Sequence, residues 1–333
     1  MSQVRAKILL ALLNGMIWVV LILILLFFSL AADGFFSTSN FINILLHASI
    51  LGVLVLGQAI CLLSGNFDLS AEGTVSLLTV LAAWLMLPSR EAQASQLGGI
   101  GWELSPFLVI SLMIITGTLI GALVGTTITR LRMNNFIVTL AFQLILRGIA
   151  LVVSMGAVLA GTPETFNWLG GGRLGPLPYS VIVTSMLFLL TGLALKNTRF
   201  GRELYAVGGN PHAARASGFN PEMTITKAYM VSGLMAALAA WMLLGRLETT
   251  TSTLGRGLTL ETVAAAVIGG VALTGGVGTI KGVLGGVLVL SVIDNGLNLM
   301  DVNPFLIQGV RGLIILVALL VDAQKIHYGR YLA

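Results

Sequence analysis

Polar side chains occur inside several long apolar segments of this sequence, where burial away from water is costly. Their positions are Asn43, His47, Gln58, Gln143, Arg147, Glu261, Asn295, Asn298, Gln308 and Arg311. Neutral amides outnumber charges in this set, which suits a path for a neutral polyhydroxylated solute better than a relay of ions or protons. The alternative is that these groups hydrogen-bond between helices or lie near helix ends, and for Arg147 and Arg311 both interpretations stay open.

Motifs for catalysis or nucleotide binding are lacking. Gly170, Gly172 and Gly175 have the G-x-G-x-x-G spacing, but they lie between two apolar segments, without the strand and helix that a dinucleotide site requires. No G-x-x-x-x-G-K-[ST] occurs, so any use of ATP needs another chain. His47 and the other two histidines are too far apart in sequence to indicate a metal site. We therefore expect no enzyme activity, catalytic residue, metal site or cofactor in this chain.

The composition is that of a membrane protein. The chain is 56% hydrophobic and 9% charged, with a mean hydropathy of +0.98, whereas soluble domains carry about 25% charged residues. The single cysteine, Cys61, lies in an apolar segment and is interpreted as a small buried hydrophobe. The net charge of +5 comes from short loops between apolar segments, which indicates membrane orientation and not a nucleic-acid partner.

A transmembrane helix needs about 20 mostly apolar residues, and this criterion predicts an all-α polytopic bundle of about ten spans that forms a single domain over residues 1–333. The third and eighth segments are weak, and merging a weak pair would leave eight spans. The ten segments are residues 8–30, 43–63, 69–87, 105–130, 135–158, 177–195, 224–246, 258–274, 279–299 and 305–322.

Basic residues favour one orientation of these spans. With the N-terminus inside, the inner segments carry 12 Lys and Arg residues and the outer loops carry 4, as the positive-inside rule requires. The sequence thus predicts that both termini are cytoplasmic. The inner residues are Arg5, Lys7, Arg130, Arg132, Lys196, Arg199, Arg202, Arg215, Lys227, Lys281, Lys325 and Arg330, and the outer ones are Arg90, Arg173, Arg246 and Arg256.

The longest inner segment, residues 196–223, is interrupted by glycine and proline. Within it, residues 211–217 can form a short helix with Pro211 in its first turn and Gly218 at its C-terminal cap. A short helix in a loop has little of its own to bury. We therefore predict that it is stabilised by docking onto a partner.

Two breaks with turn composition lie between paired spans, at residues 64–70 and 273–279. Asp68 is placed to cap the helix that follows the first break. One break in each half of the chain hints at a duplicated architecture. Glycines spaced four apart at Gly117, Gly121 and Gly125, and again at Gly282 and Gly286, favour general close helix packing over a dedicated translocation seam.

Four stretches carry a resemblance to a known family. Residues 63–70 match an "SGG-x-DLS" turn, with Asn66 where Gly or Asp is common, and residues 135–148 match "PFI-x-TL … RG", with Asn135 where Pro is frequent. Residues 198–218 match "T-x-FG … GGN … AA … SG", and residues 269–279 match "GG-[VT]-x-x-x-GG-x-G". From about Phe36 to Lys325, the chain resembles the permease subunits of bacterial ABC importers for simple sugars. Residues 298–314 look most like arabinose-type members.

The resemblance implies an ABC importer permease fold with two pseudo-symmetric halves, in the bacterial inner membrane. It also implies an assembly with a second permease chain (a homodimer is favoured, and some members pair different permeases), cytoplasmic ATPase subunits that bind ATP and Mg, and a periplasmic sugar-binding protein. Residues 196–223 would be a cytoplasmic loop that holds the coupling helix, which would contact the ATPase through Gly209, Asn210, Ala213, Ala214, Arg215 and Gly218. Candidates for the translocation path are Gln58, Asn66, Asp68, Gln143, Arg147, Asn295, Asn298, Gln308 and Arg311.

The function that follows is ATP-driven import of a monosaccharide, with a pentose such as arabinose favoured, by alternating access. Within the family, the alternative is another polar solute, such as a polyol, a nucleoside or an autoinducer sugar. An ion-coupled secondary transporter would need carboxylates deep in the spans, and the sequence places none clearly at their centre. A membrane-embedded enzyme would need a catalytic cluster at the membrane surface.

Overall fold

The computed structural model describes residues 3–89 and 99–330, and the side chains of residues 16–89, 99–314, 316, 317 and 320. The described residues are mostly helical. The helices are α1 (Gln3–Ala31), α2 (Thr38–Leu63), α3 (Ser70–Met86), α4 (Pro106–Leu131), α5 (Asn135–Ser154), α6 (Glu164–Gly171), α7 (Tyr179–Asn197), α8 (Arg199–Gly209), α9 (Pro211–Ala216), α10 (Pro221–Leu247), α11 (Leu258–Ile268), α12 (Ile280–Leu299) and α13 (Pro304–Arg330). Four two-residue strands, β1 (Leu159–Ala160), β2 (Arg173–Leu174), β3 (Leu177–Pro178) and β4 (Thr249–Thr250), pair antiparallel as β1 with β4 and β2 with β3.

Each of the ten predicted segments overlaps a helix, but not all of these helices can cross a membrane unaided. Among the described residues, six are long and apolar enough, namely α2, α4, α5, α7, α10 and α12. Helices α3 and α11 have 17 and 11 residues, which is less than the about 20 that a straight span needs. The apolar parts described for α1 and α13 are Met16–Ala31 and Pro304–Ile314. Of the residues used for orientation, Arg90 and the side chains of Arg5, Lys7, Lys325 and Arg330 lie outside the described part.

The core is centred on α2, which is buried along most of its length and packs against α7, α10, α11 and α12. Helix α10 in turn packs closely on α4 through the predicted glycines. A Cβ on Gly121 would lie 2.1 Å from the Tyr229 carbonyl oxygen, and one on Gly233 would lie 2.1 Å from that of Gly117. Gly282 and Gly286 of α12 approach the backbone of α11 in the same manner. These glycine stripes are therefore helix-packing contacts, as the sequence indicated.

Helices α3 and α11 begin side by side in the interior of the helical bundle. Most of the break before α3 is buried, and Asp68 accepts a 2.9 Å hydrogen bond from the Ser70 backbone N–H. The N-cap of α3 is Leu69 and not the predicted Asp68, because the helix begins at Ser70. The Leu69 carbonyl accepts a hydrogen bond of 3.4 Å from the Thr259 hydroxyl at the start of α11. The segment that leads into this second short helix is residues 248–257, not the predicted break at 273–279.

Candidate functional site

A guanidinium on α13 joins three helices in the second half of the chain. Arg311 Nε donates a 2.7 Å hydrogen bond to Asp294 Oδ1 of α12, and Arg311 Nη1 forms an ion pair with Glu261 Oε1 of α11. The side chain of Arg311 is 27% exposed, whereas those of Glu261 and Asp294 are 12% and 7% exposed. The carboxylates are thus buried anchors, and the arginine keeps an open side.

A second guanidinium, on α5, is held by α3. Arg147 Nη1 lies 3.9 Å from Glu72 Oε1, and Glu72 Oε2 accepts a 2.9 Å hydrogen bond from the backbone N–H of Gly257, just before α11. Glu261 follows one turn later, and its N–H donates to the Gly257 carbonyl at 3.3 Å. Both ion pairs therefore meet at the N-terminus of α11. We call the group Arg147, Glu72, Gly257, Glu261, Arg311 and Asp294 the charged belt.

Two members of the charged belt, Glu72 and Asp294, were not among the polar candidates taken from the sequence. Asp294 lies inside a predicted span, so its position alone was a usable signal. Glu72 follows a turn-like break and resembles an ordinary acidic residue of a first helical turn. Each of these buried carboxylates has a cationic partner. They are therefore anchoring groups and do not form the chain of free carboxylates that a proton relay requires.

Three path candidates from the first half are buried. Asp68 is fully engaged, because it accepts hydrogen bonds from the Ser70 hydroxyl at 2.5 Å and the Ser232 hydroxyl at 2.6 Å. Asn66 bonds to Ser64 and accepts a 3.1 Å hydrogen bond from Asn135. The amide of Gln58 is buried without a hydrogen-bond partner in the part of the chain that the structure describes. Asp68 and Asn66 thus stabilise the break before α3.

The remaining path candidates lie on α5, α12 and α13. Asn295 donates a 2.9 Å hydrogen bond to the side chain of Asn40, and the exposed Asn298 donates one of 2.6 Å to the Asp294 carbonyl. Gln143 is half-buried where the α5 backbone abuts Gly73, and Gln308 is exposed. Arg147, Arg311 and Asn298 are at least partly open and lie in or next to the charged belt. Gln143 and Gln308 lie on the same helices as the two arginines.

The predicted short helix of the inner segment is present as α9. Pro211 occupies its first turn, and the Asn210 side chain caps it by accepting hydrogen bonds of 3.0 Å from the backbone N–H groups of both His212 and Ala213. Gly218 follows the helix in a left-handed conformation with φ of 83°. Ala213 is exposed, whereas Ala214 is buried against its own chain. Arg215 is exposed and forms an ion pair with Glu222 at the start of α10.

Helix α8 connects α9 to the two breaks. A Cβ on Gly208 would lie 1.9 Å from the Leu63 carbonyl oxygen and 2.6 Å from the Gly276 nitrogen, and the Gly276 N–H donates a 2.9 Å hydrogen bond to the Leu63 carbonyl. The Tyr205 hydroxyl donates a 2.9 Å hydrogen bond to the Gly278 carbonyl. Burial raises the pKa of Tyr205, so the phenol stays protonated as this bond requires. A displacement of α8 would therefore change the contacts at both breaks, residues 64–70 and 273–279.

Within residues 3–89 and 99–330 there is no group of three or more His, Cys, Asp or Glu side chains that could hold a metal ion. Cys61 is buried and carries a free thiol. A bundle of apolar helices that encloses paired charges, with a short capped helix presented outside the bundle, has the construction of a membrane transport subunit.

Comparison with known proteins gives the family. The family described as branched-chain amino acid transport system / permease component matches residues 40–319. Ribose import permease protein RbsC of Escherichia coli K12 is 33% identical over 311 residues, which cover 92% of each chain. Galactose/methyl galactoside import permease protein MglC of Haemophilus influenzae is 35% identical over 312 residues, 91% of this chain and 92% of the relative. L-arabinose ABC transporter permease protein AraH of Azospirillum brasilense is 32% identical over 310 residues, 92% of this chain and 87% of the relative.

No solved structure matches the chain. The chain belongs to this family of ABC transporter permeases, among the members that include the ribose, galactose and arabinose permeases. It is accordingly a multi-pass protein of the inner membrane. The identities to the ribose, galactose and arabinose permeases differ by only a few per cent, so they do not single out the arabinose type that residues 298–314 suggested.

Proposed function

We propose that this chain is the membrane-spanning subunit of an ATP-driven importer that moves a monosaccharide inward by alternating access. The observation that carries the proposal is α9, a capped helix with most of its surface exposed, joined through α8 to both breaks. The names of the relatives favour a simple sugar, and a pentose such as arabinose remains the preferred substrate. A polyol, a nucleoside or an autoinducer sugar is the alternative within the same family.

The proposed assembly pairs two permease chains, as a homodimer in preference to a heterodimer, with two ATPase subunits that bind ATP and Mg and hydrolyse the nucleotide outside this chain. A periplasmic binding protein delivers the sugar. The chain crosses the membrane ten times as one domain, with both termini and residues 196–223 in the cytoplasm. Helices α3 and α11 are then half-spans that meet near mid-membrane, one from each of two pseudo-symmetric halves.

The proposed route for the conformational signal runs from α9 to the short helices. ATP binding closes the ATPase dimer and displaces α9, and α8 carries that displacement to the close contacts at Gly208. These contacts involve the end of α2 and the segment before α12. Helix α3 follows the end of α2, and α11 precedes the segment before α12. Both half-spans therefore move together, and the pore opens to the other side of the membrane.

The six residues predicted for the coupling contact differ in exposure and in position on α9, which separates their proposed roles. Ala213 and Arg215 are exposed and can touch the ATPase directly. Asn210 and Gly218 shape the ends of α9, Gly209 has open space beside it, and Ala214 packs inward. We therefore propose that Ala213 and Arg215 make the contact and that the other four residues hold α9 in place.

Co-purification tests this proposal. The tagged chain, purified in mild detergent from its native host, is expected to bring an ATPase with it. Ala213→Glu places an acid on the exposed face of α9 and should abolish co-purification. Met133→Glu, at another exposed position just after α4, serves as the control and should leave it intact. A transporter that is active but purifies with no ATPase would contradict the proposal and favour an ion-coupled mechanism.

A further inference from the structure

The two guanidiniums of the charged belt share three local features. Each is followed by glycine, as Arg147-Gly148 and Arg311-Gly312. Each is paired with a glutamate in the first turn of a short helix, Glu72 in α3 and Glu261 in α11. These two short helices begin beside one another. The two halves of the chain thus contribute one tethered arginine each to the same region.

Both arginines retain hydrogen-bond donors that no side chain in the described part of the structure uses. A guanidinium has five N–H donors. Arg311 engages its carboxylates through Nε and Nη1, and Arg147 approaches Glu72 through Nη1. Their side chains are 27% and 28% exposed. A Cβ added to Gly148 or Gly312 would meet nothing within 4 Å. Free donors therefore lie next to open space on α5 and α13.

We propose that Arg147 and Arg311 form a pair of donors that hydrogen-bond the hydroxyl groups of the sugar as it crosses the membrane. This inference rests on the proposed function and specifies its solute-contacting groups. The anchoring carboxylates offset the positive charges, so the pair suits a neutral polyol better than an anion. They also fix the planar donor forks, which lowers the entropy lost on each contact.

Glu72, Glu261 and Asp294 are positioning residues in this arrangement. Asp294 adds a second carboxylate to Arg311, whereas Arg147 has one at the longer distance of 3.9 Å. The stronger anchor is therefore on α13. Arg→Lys keeps the charge but removes the fork, so Arg311→Lys and Arg147→Lys separate donor geometry from simple charge.

The first test uses the whole complex in proteoliposomes, and the binding protein is included in the assay. Sugar uptake should fall about tenfold or more in Arg311→Lys and Arg147→Lys, because an ammonium cannot reproduce the paired, planar donors of a guanidinium. ATP hydrolysis stimulated by the binding protein should stay within about twofold of the unsubstituted complex. Arg173→Lys, at an exposed position in β2, is the matched control. Normal uptake in both variants would overturn the inference.

A second test decides the matter if the lysine variants fail to assemble. Cys61 is fully buried, so Gly148→Cys and Gly312→Cys introduce accessible thiols into a chain with no other reactive cysteine. A small hydrophilic thiol reagent should modify both, and the transported sugar should slow the modification while a sugar that is not transported does not. Rates that are unaffected by the transported sugar would overturn the inference. The absence of ATP-dependent uptake by the unsubstituted complex would instead overturn the proposed function.

Discussion

At the scale of single residues, the charged belt depends on ion pairs between side chains that are distant along the chain, and residue type alone does not reveal such pairs. The sequence identified Arg147 and Arg311 but not their partners Glu72 and Asp294, because pairing across 75 or 17 residues is set by helix rotation and not by spacing along the chain. It predicted Asp68 as the N-cap of α3, but the helix begins at Ser70 and its N-cap is Leu69, so Asp68 lies one residue earlier and accepts a hydrogen bond from the Ser70 backbone N–H. Which polar groups stay open was not visible from residue type, since Gln58 and Gln308 have opposite burial.

The glycine at position 208 provides a residue-scale prediction. Gly208→Ala would put a Cβ 1.9 Å from the Leu63 carbonyl oxygen, and such overpacking costs about 1–3 kcal/mol. We expect a lower melting temperature and weaker coupling of ATP hydrolysis to transport. Gly209→Ala, at a position with nothing within 4 Å of the added Cβ, is the control for the melting temperature. Equal melting temperatures for the two variants would show that the contact is not tight.

At the scale of elements, sequence signals predicted a helix correctly where the structure depends on residues close together in the chain. Proline at the first turn and Gly218 at the end predicted α9, because caps act within a few residues. Helix α8 was missed because Gly201, Gly208 and Gly209 were interpreted as helix breakers, whereas Gly201 and Gly208 allow close packing inside the helix. The eighth predicted span extended to residue 274, but α11 ends at Ile268. The turns before α11 are held by side chains of α3 that are distant in sequence, such as Ser76, whose hydroxyl donates to the Ser252 carbonyl at 2.6 Å.

The cap of α9 gives an element-scale prediction. Asn210→Ala removes the acceptor for two backbone N–H groups, and loss of such a cap costs about 1 kcal/mol. Because α9 has only six residues, the helix should fray and ATP hydrolysis should respond less to the binding protein. Asn210→Asp retains an acceptor and should behave like the unsubstituted chain. If the alanine variant couples normally, then α9 does not need its cap to act.

At the scale of the whole molecule, hydropathy located all ten apolar segments but did not give the number of crossings. Helices α3 and α11 are too short to span unaided, and their pairing in the interior is a tertiary contact. The sequence also suggested a duplicated architecture from residues 64–70 and 273–279. The paired arginine–glutamate contacts are a better basis for that hypothesis.

The proposed orientation makes a prediction for the whole chain. A thiol reagent that cannot cross membranes should label Arg173→Cys in intact spheroplasts, because the proposed orientation puts β2 and β3 on the outer side. It should label Ser217→Cys only after the membrane is opened, because the proposed orientation puts residues 196–223 on the cytoplasmic side. Both positions are exposed on the chain, so accessibility within the fold does not limit either reaction. The reverse pattern would contradict cytoplasmic termini.

The central claim is tested most directly by sugar uptake into proteoliposomes that contain this chain, its ATPase and its binding protein. The comparison is between the active ATPase and one that binds ATP but cannot hydrolyse it. The account predicts sustained accumulation of a monosaccharide only with hydrolysis, and none when an ion gradient is supplied in place of ATP. Accumulation driven by the gradient, and unaffected by the inactive ATPase, would contradict it.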